Sequence, residues 1–148
     1  MKTKLFLLLP LVTLLMASCK STNSNSSIPY TKAERYFVKN TVKDGSILLM
    51  RFVNQEKFDE YFGTAAVMGQ NGKPTPIDFD KQYVIAIIHP STENDVSFSS
   101  YNLQETEDRI VVNYKIKKGR EQSYTSRPYL LLVVDQKYSK NIRFNRVE

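Results

Sequence analysis

Few side chains in this 148-residue chain have the type and spacing to carry chemistry. The sole histidine, His89, follows the apolar run Tyr83–Ile88 and precedes Pro90. One histidine cannot build a multi-histidine zinc site. Ser91 and Asp95 lie near it, but no serine sits among the glycines of a nucleophile elbow, so a Ser-His-Asp triad is not expected. Asp78 and Asp80 flank Phe79 and would point the same way in an extended chain. Asp59 and Glu60 are adjacent, while Glu105, Glu107 and Asp108 crowd one turn. None has the Asp-x-Asp-x-Asp-Gly form of a calcium loop. A pair of hydrolytic carboxylates can be far apart in sequence and stays open as an alternative. The chain has no tryptophan on which a sugar could stack, and only five scattered glycines to cradle a phosphate. No catalytic residue, metal ligand or cofactor is therefore expected.

The stretch 117–128, Lys-Lys-Gly-Arg-Glu-Gln-Ser-Tyr-Thr-Ser-Arg-Pro, is the most distinctive. It puts four cations, a glutamine, hydroxyls and a tyrosine between two expected strands, and loops on rigid strands often carry function. Arg and Tyr are favoured at the centres of protein interfaces. Arg120, Gln122, Tyr124 and Arg127 are accordingly the candidate partner-binding residues. The competing reading is a long hairpin loop whose Gln, Ser and Arg bond locally, with Gly119 and Pro128 as turn formers.

Cys19 is the only cysteine. Before it stand Lys2 and Lys4, then the apolar segment Leu5–Met16, then the small residues Ala17 and Ser18. A basic start, an apolar middle and a small-residue cleavage site describe a secretory signal, and the apolar segment is too short to span a bilayer, which takes roughly 20 residues. Met16-Ala17-Ser18-Cys19 resembles the lipobox of bacterial lipoproteins, in which cleavage precedes a diacylated cysteine. An ordinary signal peptide with an incidental Cys19 is the plainer alternative. The expected organisation is a signal peptide over 1–18, a lipidated cysteine and polar tether over 19–29, and one β-rich domain over 30–148. A single cysteine forms no internal disulfide, and once lipidated it offers no free thiol.

The whole chain carries 21 Lys+Arg against 15 Asp+Glu, a net charge of +6. Residues 109–148 hold ten basic and three acidic residues, so the excess is concentrated there. Such a surface suits anionic lipid headgroups or an acidic protein. Export from the cytoplasm argues against nucleic acid as a partner.

The elements that would position these residues are mostly strands. Tyr36–Val38 and Ile47–Val53 are candidates, separated by the turn signal Asp44-Gly45. Asn54 can cap a helix over Gln55–Phe62, with Gly63 as its stop and Val53 stapled onto Phe58. Residues 64–76 carry glycines and prolines and should form a connection. Tyr83–Ile88 and Tyr129–Val134 are apolar on both faces and suit covered central strands. Val96, Phe98, Tyr101 and Leu103 mark a strand with one wet face. Ile110, Val112, Tyr114 and Ile116 alternate with polar residues, and Gly119 should end that strand. Ile142 and Phe144 suggest a short edge strand. Short gaps leave no room for crossover helices. These features predict a compact α+β domain, a mainly antiparallel sheet of about five to seven strands with one helix near 55–62.

Two segments carry a family resemblance: residues 77–86, Ile-Asp-Phe-Asp-Lys-Gln-Tyr-Val-Ile-Ala, and the later pattern from Tyr114 through Gly119 to Arg127-Pro128-Tyr129-Leu130-Leu131-Leu132. Both resemble the family of C-terminal domains found in small subunits of protease complexes. The resemblance spans 77–147. It implies a small exported β-rich domain, often a lipoprotein, that assists a protease complex rather than being an enzyme. The family's glycine pair after its first long strand is replaced here by Pro90-Ser91-Thr92-Glu93-Asn94-Asp95. Taken together, the sequence leads to the expectation of a non-enzymatic envelope binding module, anchored through Cys19 at the outer membrane of a Gram-negative cell and facing the periplasm, that stabilises or recruits another envelope protein. The alternatives are a carboxylate-dependent hydrolase and a structural envelope lipoprotein.

Overall fold

The structure, a computed structural model, describes residues 25–65, 67–69 and 72–148. In chain order these form β1 (Ser26–Ser27), β2 (Thr31–Lys32), β3 (Tyr36–Val38), β4 (Leu48–Phe52), α1 (Gln55–Tyr61), β5 (Phe62–Thr64), β6 (Gln82–Ile88), β7 (Thr92–Glu105), β8 (Arg109–Ser126), β9 (Tyr129–Asp135) and β10 (Asn141–Arg146). The six strands of five or more residues fall within the expected number, and β1, β2, β3 and β5 are additional short pieces. The domain is α+β and mainly antiparallel.

Three layers follow from the residue pattern of β6 and β9. Tyr83 through Ile88 and Leu130 through Val134 are buried without interruption. Such runs cannot leave either sheet face to water. They lie in the middle of a sheet ordered β2-β9-β6-β4. On one side Tyr83, Ile85, Ile87, Leu130, Leu132 and Val134 pack against Leu103, Ile110, Val112 and Tyr114 of a second sheet, ordered β1-β7-β8-β10. On the other side Val84, Ala86, Ile88, Leu131 and Val133 meet Phe52, Phe58 and Phe62. Phe58 sits edge-on to Phe52 and Tyr36 and stacks on Phe62.

The helix starts as its sequence predicts, with Asn54 Oδ1 accepting from Lys57 N–H at 2.8 Å. Its end differs from the expectation. Phe62 turns directly to extended backbone and leads into β5, so Gly63 is a strand residue and not a left-handed cap. The Phe37 ring from the paired strand β3 lies across Gly63, so a Cβ there would require the ring to swing aside. Val53 stays half exposed, and Phe58 is enclosed by other aromatic rings instead of a staple.

Three further expectations are corrected. Residues 26–28, expected in a tether over 19–29, belong to the domain: Ser26 and Ser27 pair with β7 and Ile28 is buried in the core. Gly119 does not end a strand. β8 runs on to Ser126, and the absent side chain lets it pass Asp95, whose backbone oxygen and carboxylate would lie 3.1 Å from any Cβ. Finally, β10 pairs parallel to β8 without a crossover helix. β9, housed in the other sheet, serves as the crossing segment.

Removing the Phe58 ring should cost about 3–5 kcal/mol, as for large-to-small changes in a packed core. Asn54→Ala should cost about 1 kcal/mol, the usual loss of an N-cap. Urea midpoints for the two variants would give this ranking, with Phe58→Ala far the worse.

Candidate functional site

The β6–β9 pair and the β7–β8 pair are consecutive parts of one ribbon. Ile88 pairs with Tyr129, His89 N–H donates to Pro128 O at 2.8 Å, and pairing resumes at Thr92 with Ser126. The ribbon turns here from one sheet into the other, and its register breaks. Between Thr92↔Ser126 and Asn94↔Glu121, one β7 residue stands opposite four of β8, Gln122 to Thr125. Bulges of this kind aim side chains away from a regular ladder. Tyr124, 61% exposed, is displayed on this one.

Beside the bulge is an open cleft of about 490 Å³. Phe37 and Val42 supply apolar walls, Thr125 and Ser126 hydroxyls, and Asp44 and Arg127 charges. Phe37 is 49% exposed, a large apolar surface for a residue in a three-residue strand. Arg127 binds backbone: its Nη1 donates to Val42 O at 2.7 Å and its Nη2 to Lys43 O at 2.6 Å. Asp44 Oδ1 accepts from Ser91 N–H at 2.9 Å and from Gly45 N–H at 2.8 Å. These bonds from Ser91 and Gly45, with the nearby Arg127 charge, hold the Asp44 carboxyl down at about 2. A carboxylate so firmly ionised is poorly matched to general acid or base work near neutral pH. The cleft is therefore a shaped, braced surface, not a set of poised proton carriers.

The four residues singled out from sequence do not act as one group. Arg127 is a brace between the bend and residues 42–43. Gln122 is half-buried, and its Oε1 has no hydrogen-bond partner among the described residues. Arg120 and Tyr124 are exposed along the ribbon. The stretch is thus not a loop between strands but a bulged strand, and only Tyr124 and Arg120 present themselves freely. Phe37, Asp44 and Ser91 were missed as members of this site. Their contacts with residues 125–129 span long sequence separations, and Asp44-Gly45 signals only a local turn.

Other candidates fall elsewhere. His89 is fixed at the bend with Nδ1 against Pro90 O at 2.8 Å. Asp78 pairs with Lys81, Asp108 with Arg109 and Glu105 with Lys140. No group of three or more His, Cys, Asp or Glu able to hold a metal occurs among the described residues. A larger open groove of about 740 Å³ lies by the helix, lined by Val42, Leu48 and Tyr61 with Lys39, Lys43 and Glu60 around them. Thr41 and Tyr61 add hydroxyls there, but no bulge adjoins the groove and no brace like that of Arg127 and Asp44 crosses it. Tyr83 Oη, inside the sandwich, has no partner among the described residues, and burial pushes the phenol up to about 12. Cys19 lies outside the described residues. Searches against family models, curated proteins and solved structures found no match for this chain.

Since the Asp44 carboxyl titrates lower in the fold than in a free chain, its contribution is complete above about 4 and lost as pH falls through about 2. Asp44→Asn should therefore melt below the parent protein at neutral pH, with the gap closing between pH 4 and 2. Arg127→Lys keeps the charge but not the fork across two carbonyls, and should cost on the order of 2 kcal/mol. Thermal melts over a pH series and urea titrations would measure both effects.

Proposed function

We propose that this chain is a lipid-anchored, non-enzymatic binding module of the Gram-negative envelope, held through Cys19 at the outer membrane facing the periplasm. In this reading it recruits or stabilises another envelope protein through the bend cleft and the bulge beside it. The observation that carries the proposal is the four-against-one bulge at Gln122–Thr125, which holds an exposed tyrosine next to a cleft with a half-exposed phenylalanine. Exposed aromatics on rigid strands are the usual anchors of protein interfaces. The titratable groups around them are occupied with structural bonds, which favours binding over turnover.

The resemblance over 77–147 suggests a protease complex as the client to look for first. A hydrolase working through dispersed carboxylates has less behind it, since Asp78, Glu105 and Asp108 are each tied to a neighbouring cation and neither cleft gathers them.

Tyr124→Ala and Arg120→Ala together should leave the melting temperature within a few degrees of the parent, since both side chains are exposed. The same pair should remove the client from crosslinked envelope extracts. Recovery of identical neighbours with parent and variant would sink the assignment, and recovery of none by either would favour a structural lipoprotein. Cys19→Ser should shift the chain from the membrane to the soluble fraction.

A further inference from the structure

The outer face of the second sheet differs in chemistry from the rest of the molecule. Strand alternation sends Ile110, Val112 and Tyr114 of β8 into the core, so Arg109, Val111, Asn113, Lys115 and Lys117 point the other way. The register sets Ser99 opposite Lys115 and Ser97 opposite Lys117 on β7, and Arg143 opposite Val111 on β10. Four cations, Arg109, Lys115, Lys117 and Arg143, thus share one face, and the outward register positions between them carry no carboxylate. Of the nearby acids, Glu105 is turned inward to Lys140, Asp108 and Glu107 lie in the turn at one end of the ribbon with Asp108 paired to Arg109, and Asp95 lies against Gly119 just beyond Lys117 at the other end. Lys115, Lys117 and Arg143 make no ion pair among the described residues.

Short side chains link the strands across this face. Asn113 Nδ2 donates to Asn102 Oδ1 at 3.0 Å, and Asn145 Nδ2 donates to Asn113 Oδ1 at 2.7 Å. This amide ladder ties three strands together with short side chains, above which the longer Lys and Arg chains stand clear. From Arg109 to Lys117 the cations extend over about 26 Å at 3.3 Å per residue, and β7 to β10 is about 10 Å across. Lys115 and Lys117 stand about 7 Å apart and Arg109 and Arg143 about 8 Å apart, each pair within a Debye length of about 8–10 Å, with about 14 Å between the two pairs.

The chain also enters the domain at this sheet. β1 is its edge strand and runs antiparallel to β7, so the polypeptide arrives from the side of the 106–108 turn. Seven residue steps separate Cys19 from Ser26, which reach at most about 25 Å.

We infer that this face lies against a bilayer of anionic lipid, with Lys115, Lys117 and Arg143 contacting headgroup phosphates while the bend cleft is left free for protein. Placement near the bilayer rests on the lipid-anchored reading above; the charge pattern of the face does not. Each basic residue near an anionic membrane contributes a factor of about five in partitioning, so removing three should lose on the order of a hundredfold.

The test is co-sedimentation of the chain from residue 19 carrying Cys19→Ser, so that no lipid assists. Vesicles containing phosphatidylglycerol are compared with vesicles of phosphatidylcholine alone. The unlipidated chain should bind only the anionic vesicles, and less tightly as salt rises. The variant K115Q/K117Q/R143Q should lose on the order of a hundredfold. The equal-charge control K39Q/K43Q/K57Q, on the helix side, should keep most of its binding, and thermal melts confirm that both fold. Equal losses in the two variants, binding indifferent to lipid charge, or no binding at all would overturn the inference. Labelled palmitate incorporation into the full chain is scored separately. Absence of label with intact vesicle binding would defeat the anchor alone, whereas label without face-dependent binding would defeat this inference alone.

Discussion

Six consecutive buried residues in β6 and five in β9 leave these two central strands no face that water can touch. Each Val, Leu or Ile side chain among them is worth about 1.5–3 kcal/mol when fully buried, so both faces must be covered. The long ribbon answers for one face and the aromatic cluster around Phe58 for the other. That cluster explains why so short a helix is stable. Seven residues are too few to hold helical form alone in water, and tertiary packing of Phe58 must supply the rest.

Covering one face with the continuation of the same ribbon imposes a sharp turn, and the register shifts among the described strands fall along that ribbon. Register shifts occur at Thr92/Asn94, Asn94/Val96 and Ser99/Asn102, and Ser100 adopts a left-handed φ of 52°. A non-glycine residue in that region carries strain, which surrounding pairing must hold in place. At the turn itself, Arg127 and Asp44 fasten the ribbon to the segment after β3. The cleft is a consequence of this brace: its walls come from the two segments that Arg127 draws together.

Much of this was legible in the sequence, for reasons that can be located. Tyr83–Ile88 and Tyr129–Val134 declared a sheet covered on both sides, and alternation from Ile110 to Ile116 declared which face was wet. Asn54 announced the helix start. Glycine misled at Gly63 and Gly119, because both make room for a non-local neighbour, Phe37 and Asp95, rather than a turn. Local reading cannot distinguish those two uses. Arg127 misled in the same way: its partners lie 84 and 85 residues away, so nothing nearby marked it as a brace. Serine and asparagine around residues 20–29 suggested a uniform tether, yet Ile28 is buried in the core and Ser26 and Ser27 pair with β7.

The concentration of basic residues in the last third of the chain also changes meaning once folded. It is not one patch, because β8 distributes its residues among three tasks. Its first half alternates between core and wet face, its bulge displays Tyr124, and just past its end Arg127 is spent on backbone carbonyls. A shift of one residue in the pairing of its first half would send Lys115 and Lys117 inward and Val112 and Tyr114 outward. The registry that protects the core therefore also keeps the cations on a single face. Packing of the sandwich thus fixes which positions face outward, while each lysine there contributes little to stability by itself.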